Sequence, residues 1–293
     1  MYRIKIYHLV FACFFLWGCN DEPLEEVEDE IISTPSLKVS SFNIRFDNPS
    51  DGSNRWINRR GDVLNFLLIE ELDIIGMQEV LYSQIKFLDE NLSTYQRVGI
   101  GRDDGEQAGE YAPIYFDTNR FNLLDSGNFW LSETPEVPSI GWDAVLNRIC
   151  TYVRLFDTES DQEIYFYNTH FDHVGGTARL RSASLIRDSI QTKIDQGVRV
   201  ILTGDLNVVP GSTPYEVFNE FMTDSYESDL KLGPTGTYNG FNLDGSHNRR
   251  IDFIFTTGFK PMTYESVSTV VNNRFLSDHF PVISKIEYRP VNY

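Results

Sequence analysis

The sequence predicts an α/β domain whose sheets are covered on both faces, and three observations point there. Short β-branched and aromatic runs recur from about residue 36 to residue 288, and several are too apolar for a half-exposed ribbon, as in Val198-Arg199-Val200-Ile201-Leu202. Continuous runs of that kind belong to strands buried on both sides. Segments with helical spacing lie between them. Finally, 41% hydrophobic and 14% aromatic residues in a chain of 293 provide enough apolar material for a real core, which excludes disordered, collagen-like and multi-span membrane classes.

The expected strands, in order, are Leu37 to Ile44, Asp73 to Met77, Arg97 to Ile100, Ala112 to Phe116, Ile149 to Phe156, Glu163 to Thr169, Val198 to Thr203, Arg250 to Phe255, Tyr264 to Val271 and Pro281 to Tyr288. Two helices are expected. Asn58 to Leu72 places Val63, Phe66, Leu67 and Leu72 near one face, and Thr177 to Gln196 carries Leu180, Ala183, Ile186, Ile190 and Ile194 before Gly197 stops it. A third helix start is indicated at Thr213-Pro214-Tyr215-Glu216, which has capping-box spacing and proline at the first helical position. No internal repeat or linker interrupts residues 36 to 293, so one domain is the simplest organisation.

Residues 1 to 19 read as an export signal: Arg3 and Lys5 precede the apolar run His8 to Trp17, which is short for a bilayer span and ends in Gly18 and Cys19. Leu16-Trp17-Gly18-Cys19 resembles a bacterial lipobox, with Cys19 as lipid acceptor, and Asn20-Asp21-Glu22 resembles an outer-surface sorting signal. That makes an outer-membrane or cell-surface lipoprotein the expectation, with periplasmic or secreted protein as the alternative and the lipid as its only membrane attachment. Residues 20 to 35 are an acidic, proline-containing tether. Cys13 leaves with the signal and Cys19 takes lipid, so Cys150 has no disulfide partner. The formal charge is −18, with 43 acidic against 25 basic residues, which argues against general attraction to nucleic acid. Phosphate binding must then be local, built by a metal or a few placed cations.

Polar residues that a core should not tolerate gather at the strand ends, where α/β folds place their sites. The segments are Ser41 to Arg45, Gly76 to Val80, Asn168 to His173, Gly204 to Asn207, Ser277 to Pro281 and Arg250 to Phe253. Three of the five histidines, His170, His173 and His279, stand in them beside Asp or Asn. Asn43 and Glu79 are oxygen donors of the kind that suits Mg²⁺, with Mn²⁺ as a substitute. Zn²⁺ suits them less, since no HExxH helix is present. A metal-bound phosphate needs an in-line water, a group to orient it and donors for the developing charge, and the Asp, Asn and His residues at hand fill those roles. Asp252, flanked by Ile251 and Phe253, has a structural alternative as partner to Arg249 or Arg250. Arg148 and Arg179 are candidates for substrate phosphate, and Trp56, Trp130 and Trp142 for stacking on a sugar or base, although packing is the commoner fate of tryptophan.

In their order from about Lys38 to Ile286, these six motifs resemble the endonuclease/exonuclease/phosphatase superfamily. The resemblance implies a deoxyribonuclease-I-like four-layer sandwich, two packed sheets flanked by helices. It also implies roles: Asn43, Glu79 and Asp278 at the metal, His170 stabilising the phosphoryl transition state, Asp172 as a neighbouring polar residue near substrate, Asp205 and Asn207 positioning water, and His279 oriented by Asp252. Whether Asp205 or His279 is the base stays open. Arg45 stands where several family nucleases carry an acid, which tilts the metal site toward one ion.

The expected activity is Mg²⁺-dependent hydrolysis of a phosphomonoester or small phosphodiester, such as a phosphorylated glycan or nucleotide, by a monomeric enzyme. The acidic, glycine-rich loop Arg102 to Tyr111 favours a small substrate over a long polyanion. An extracellular nuclease acting on DNA or RNA is the alternative. A binding module without catalysis is a third reading, which predicts loss of Glu79, Asp205 or His279; all three are present.

Overall fold

In the computed structural model, which describes residues 34–290, two β-sheets lie face to face. One sheet has the order β10 (Leu230–Leu232), β12 (Phe259–Ser266), β15 (Val282–Tyr288), β1 (Ser36–Asn43), β2 (Ile74–Gln78), β4 (Ile114–Asp117), β3 (Tyr95–Val98). The other has the order β5 (Phe121–Trp130), β6 (Ile149–Asp157), β7 (Gln162–His170), β8 (Arg199–Asp205), β11 (Asp252–Thr257), β9 (Thr223–Asp224). A small hairpin, β13 (Val270–Val271) with β14 (Arg274–Phe275), stands apart. The export signal, Cys19 and the tether as far as residue 33 lie outside the described residues. Among the described residues no helix is long and apolar enough to cross a membrane.

Alternation along each strand builds the layers, because successive side chains point to opposite faces. Leu37, Val39, Ile74, Ile164, Phe166, Ile201, Ile254 and Ile286 meet in one cluster that draws on both sheets. The residues next to them point away from it: Phe42, Ile75, Met77 and Ile283 pack with Val63, Phe66 and Leu67 of helix α1 (Trp56–Glu70) and Ile85 and Leu88 of helix α2 (Tyr82–Asn91). On the far side Tyr165, Tyr167, Val200, Leu202, Phe253 and Phe255 pack with Ala183, Ile186 and Ile190 of helix α3 (Gly176–Ile194) and Phe218 of helix α4 (Thr213–Asn219). The result is the four-layer sandwich, and it explains why the strands read as unbroken apolar runs: both of their faces are interior.

The face between the sheets changes character along the strands. In β1 the residues in phase with Leu37 and Val39 are Ser41 and Asn43; in β2, Ile74 is followed by Gly76 and Gln78; in β7, Ile164 and Phe166 by Asn168 and His170; in β8, Ile201 by Thr203 and Asp205. Hydrocarbon fills one end of the sandwich and a hydrogen-bonded polar network the other. Asn168 anchors that network: its amide donates to Met77 O (2.6 Å) and Pro113 O (3.0 Å), and its oxygen accepts from Gln78 Nε2 (2.7 Å) and Thr203 Oγ1 (3.0 Å). The sheets approach closely there, since a Cβ on Gly76 would lie 2.1 Å from Thr203 Oγ1 and 2.6 Å from Asn168 Oδ1. Gly76→Ala should therefore lower the unfolding free energy by about 1–3 kcal/mol, read from the denaturant midpoint; an unchanged midpoint would show that the two sheets can separate locally without cost.

Several sequence expectations are corrected. β5 and α2 were not anticipated. β5 is an edge strand interrupted by Asp125, Ser126 and Gly127, so it lacks an apolar run, and it is held by pairing with β6. α2 spans ten residues and buries Gln84, Ile85 and Leu88, a pattern too short to stand out. The Tyr264 to Val271 run is divided between β12, which begins earlier at Phe259, and β13. The capping box at Thr213 does not form: Thr213 is already helical, Ser212 is the N-cap without a side-chain cap bond, and Ser212 Oγ donates to Val209 O instead. Cys150 is buried, and among the described residues it is the free cysteine.

Candidate active site

Register brings the polar residues together. β7 pairs with β8 so that His170 faces Asp205, and β11 pairs with β8 so that Asp252 faces the same Asp205. Three neighbouring strands thus place an imidazole and two carboxylates in one cross-strand row, where directly opposed residues have Cβ atoms about 5 Å apart. His279 joins them from the segment before β15. Its Nδ1 lies 2.9 Å from Asp252 Oδ2 and its Nε2 lies 3.8 Å from Asp205 Oδ2. Asp252 is thereby the partner of His279; the alternative pairing with Arg250 does not occur, because Arg250 donates to Asp224 at 2.7 Å.

Glu79 and Asn207 stand just beyond their strands in left-handed backbone conformation, with φ of 61° and 50°, and Arg45, two residues after Asn43, has φ of 59°. For residues with a Cβ each such conformation costs of order 1 kcal/mol or more and persists where its surroundings enforce it. Those surroundings are visible. Buried Arg59 of α1 donates to the carbonyls of Ile44 (2.5 Å) and Arg45 (2.6 Å), and Gln84 of α2 donates to Arg45 O and accepts from Asp47 N and Leu81 N. Asn207 N donates to Asp205 Oδ1 (2.9 Å), while Asn207 Nδ2 donates to Phe171 O (3.0 Å) and lies 3.2 Å from His170 Nε2.

These groups open into one concave pocket of about 450 Å³ lined by Glu79, Asp278, Arg45, Asp205, Asn207, His170 and His279, with Glu110, Arg148, His173, Leu146, Tyr238 and Arg249 among the remaining walls. Burial pushes Asp205 up to about 7, with the Asp252 charge acting in the same direction. Burial alone would lower His279, but the carboxylates of Asp252 and Asp205 outweigh it and hold the imidazole well above its usual range, so it is cationic at neutral pH. His170 goes the other way: burial, reinforced by Arg148 and Arg102, holds it well below its usual range and neutral. Two histidines in one pocket therefore take opposite charge states.

Glu79 and Asp278 are the residues suited to hold a divalent ion. Both carboxylates are mostly buried, and Arg45 approaches each at 3.7 Å, beyond hydrogen-bond range, while its own bonds go to Asp51 at 3.1 Å. Burial raises the Asp278 carboxyl and Glu79 adds to that, while His279, Arg45 and Arg59 act against it. An oxygen-only pair of this kind fits Mg²⁺. Ligand atoms of Asp205, Asp252 and His279 also lie within 4.8 Å of one another, close enough to enclose an ion. The hydrogen bond between Asp252 and His279 and their burial suit proton handling better.

Two expected roles change. Asn43 was expected as a ligand, but its amide donates to Glu79 Oε1 (3.0 Å) and Asp205 Oδ2 (3.1 Å) and its oxygen accepts from Arg45 N (3.0 Å), so it ties Glu79 to Asp205. Asp172 was expected near substrate, yet it is 1% exposed and both oxygens are engaged: Oδ1 with Val174 N and Gly175 N, Oδ2 with Val145 N and Arg148 Nε. It fixes the loop and aims Arg148. Arg148 does reach the pocket, with Nη2 3.1 Å from His173 Nδ1 and Nη1 buried without a partner. Arg179 donates to Asp172 O, and Trp56 and Trp130 are packed in the core. Glu110, not anticipated, lines the pocket with its carboxylate 2.8 Å from Arg102 Nη1. In the sequence it is one acid in an acidic loop, and its burial with an arginine eight residues away leaves no local signal.

Residues 40–279 match the family model described as the Endonuclease/Exonuclease/phosphatase family. Among solved structures, a family protein from Bacteroides vulgatus is 39% identical, with 87% of this chain and 100% of that chain covered and a TM-score of 0.83. One from Bacteroides thetaiotaomicron is 36% identical, covering 88% and 99%, with a TM-score of 0.82. A mannosyl-6-phosphatase from Bacteroides thetaiotaomicron is also 36% identical, covering 87% and 100%, with a TM-score of 0.81. Motif order, layer architecture and these likenesses agree: this chain belongs to the endonuclease/exonuclease/phosphatase family.

Proposed function

We propose that the protein is a phosphoesterase that releases phosphate from a small phosphomonoester, a phosphorylated glycan, by direct attack of water with Mg²⁺ held at Glu79 and Asp278. The observation that carries the reading is the pocket in which this carboxylate pair, Asp205, His170, His279 and Arg148 line a common space. When bound, the ion supplies Lewis acidity at a phosphoryl oxygen. Arg45 provides a fixed positive charge beside the same carboxylates, which favours one ion over two.

The chain's own groups do the rest. Asp205, held by Asn207 N and Asn43 Nδ2, takes the proton of the attacking water as its oxygen bonds to phosphorus and the P–O bond to the sugar breaks, and the departing sugar oxygen takes its proton from solvent. Cationic His279, oriented by Asp252, offsets the charge that develops on the phosphoryl oxygens, and neutral His170 donates to them. Arg148 grips the phosphate. Similarity to a mannosyl-6-phosphatase and the acidic surface support a sugar phosphate over a polynucleotide. Export, lipid anchoring through Cys19, an outer-membrane or cell-surface location and a monomeric state belong to the same proposal.

The test compares mannose 6-phosphate, bis(p-nitrophenyl) phosphate and single-stranded DNA, each with Mg²⁺ and with EDTA. Phosphate release from the monoester, stopped by EDTA and faster than cleavage of either diester, is expected. Faster DNA cleavage would replace this reading with the nuclease.

A further inference from the structure

The pocket has two zones that differ in exposure. His170, Asp205, Asp278, His279 and Arg148 are all buried, whereas Tyr238, Leu146, His173 and Arg249 are exposed and line the same cavity. Tyr238 is 39% exposed although its ring stands 5.2 Å, edge to face, from that of His279, which is 5% exposed. Its backbone is rigidly placed: Tyr238 and His279 form an isolated antiparallel bridge, and Tyr238 N donates to Arg249 O at 3.1 Å. The Arg249 guanidinium lies 5.6 Å from the Tyr238 ring centroid, within cation–π range. A large ring left 39% exposed beside a buried catalytic-pocket imidazole presents apolar surface to the cavity that the fold itself does not use for core packing.

We propose that Tyr238 and Arg249 form the leaving-group subsite and select a phosphate ester whose alcohol is a sugar ring. The inference rests on the phosphomonoesterase reading and adds where the alcohol is recognised. A pyranose presents a carbon-rich face and a hydroxyl-rich edge. Tyr238 and Leu146 offer the carbon surfaces for the first, and Arg249 and His173 offer hydrogen-bonding groups for the second. These residues touch the alcohol and not the phosphoryl group, so they set KM for sugar esters more than the rate of P–O cleavage.

The experiment measures kcat/KM of the full chain for mannose 6-phosphate and for ethyl phosphate, with Mg²⁺, in the wild type, Tyr238→Ala, Tyr238→Phe and Arg249→Gln, with thermal melts of each. The wild type should prefer the sugar ester. Tyr238→Ala should lose about tenfold or more in kcat/KM for it through KM, in line with loss of an aromatic contact together with its buried area, and lose clearly less on ethyl phosphate, so that the preference for the sugar ester narrows. Tyr238→Phe should keep the ring surface and most of the preference, and Arg249→Gln should raise KM for the sugar ester alone. Equal losses on both esters, or a wild type that does not distinguish them, would overturn the subsite while leaving the phosphomonoesterase reading intact. A wild type that cleaves neither monoester but cleaves DNA would remove that reading first, and the subsite with it.

Discussion

Asp205→Asn should lower kcat by about 10²–10⁴-fold, the usual worth of a placed general base, with the protein still folded. The substitution keeps the size of the side chain and an oxygen to accept from Asn207 N, removes the ability to take a proton, and gives up the bond that Oδ2 accepts from Asn43 Nδ2. Its stability cost should be small, because that lost bond is set against relief of a buried charge. Asp205 is buried opposite Asp252, and a carboxyl pushed up to about 7 is one the fold holds more comfortably when neutral. The sign follows from linkage. A folded pKa above the unfolded one means that this group favours folding below about pH 4 and works against it as the pH rises through about 7. The neutral amide escapes that burden, so the melting temperature at pH 8 should stay close to that of the wild type. As the proposed base, the same carboxyl should shape the activity profile: it works only when deprotonated, so wild-type kcat/KM should rise with pH along an acid limb centred at about 7, or lower once the proposed cation is bound. A variant that kept wild-type kcat would overturn Asp205 as the base.

Glu79→Gln should remove Mg²⁺-dependent turnover, by about 10³-fold or more if the ion supplies several kcal/mol of charge stabilisation, and should do so without unfolding. The amide oxygen can still accept from Asn43 Nδ2 or Phe46 N, the two donors that now hold the carboxylate. What is lost is one negative charge from a pair that Arg45 alone does not neutralise. Thermal shift separates this from general damage. A ligand that binds the folded state raises its stability by RT ln(1 + [L]/Kd), so millimolar Mg²⁺ should raise the wild-type melting temperature and leave that of the variant unmoved. If the variant still responds to Mg²⁺, the ion sits elsewhere, and the cluster of Asp205, Asp252 and His279 becomes the first place to look.

Strand-end motifs were legible because each has a local signature: Gly76-Met77-Gln78-Glu79 and Thr203-Gly204-Asp205-Leu206-Asn207 each put polar residues where an apolar run ends. Residues defined by a distant partner were not. Glu110 looks solvated until Arg102 pairs with it, Arg59 looks like an ordinary helix-surface arginine until its guanidinium is seen bracing Ile44 and Arg45, and Tyr238 lies in a polar loop with no periodicity at all. Asp172 shows the opposite error. It is next but one to His170 in the chain, but its oxygens turn to the backbone of the following loop and to Val145.

By itself the sequence determined the class of layers, the strands that form the centre of both sheets and the identity of most groups around the pocket, because alternation and strand-end polarity are local properties written in adjacent residues. Only the tertiary structure decided how those groups behave. The register of β7, β8 and β11 sets His170, Asp205 and Asp252 side by side, burial raises the Asp205 and Asp278 carboxyls, neighbouring carboxylates raise His279 against its burial, and burial with nearby arginines lowers His170. Charge state depends on distance and dielectric, and neither exists until segments far apart in the chain have packed.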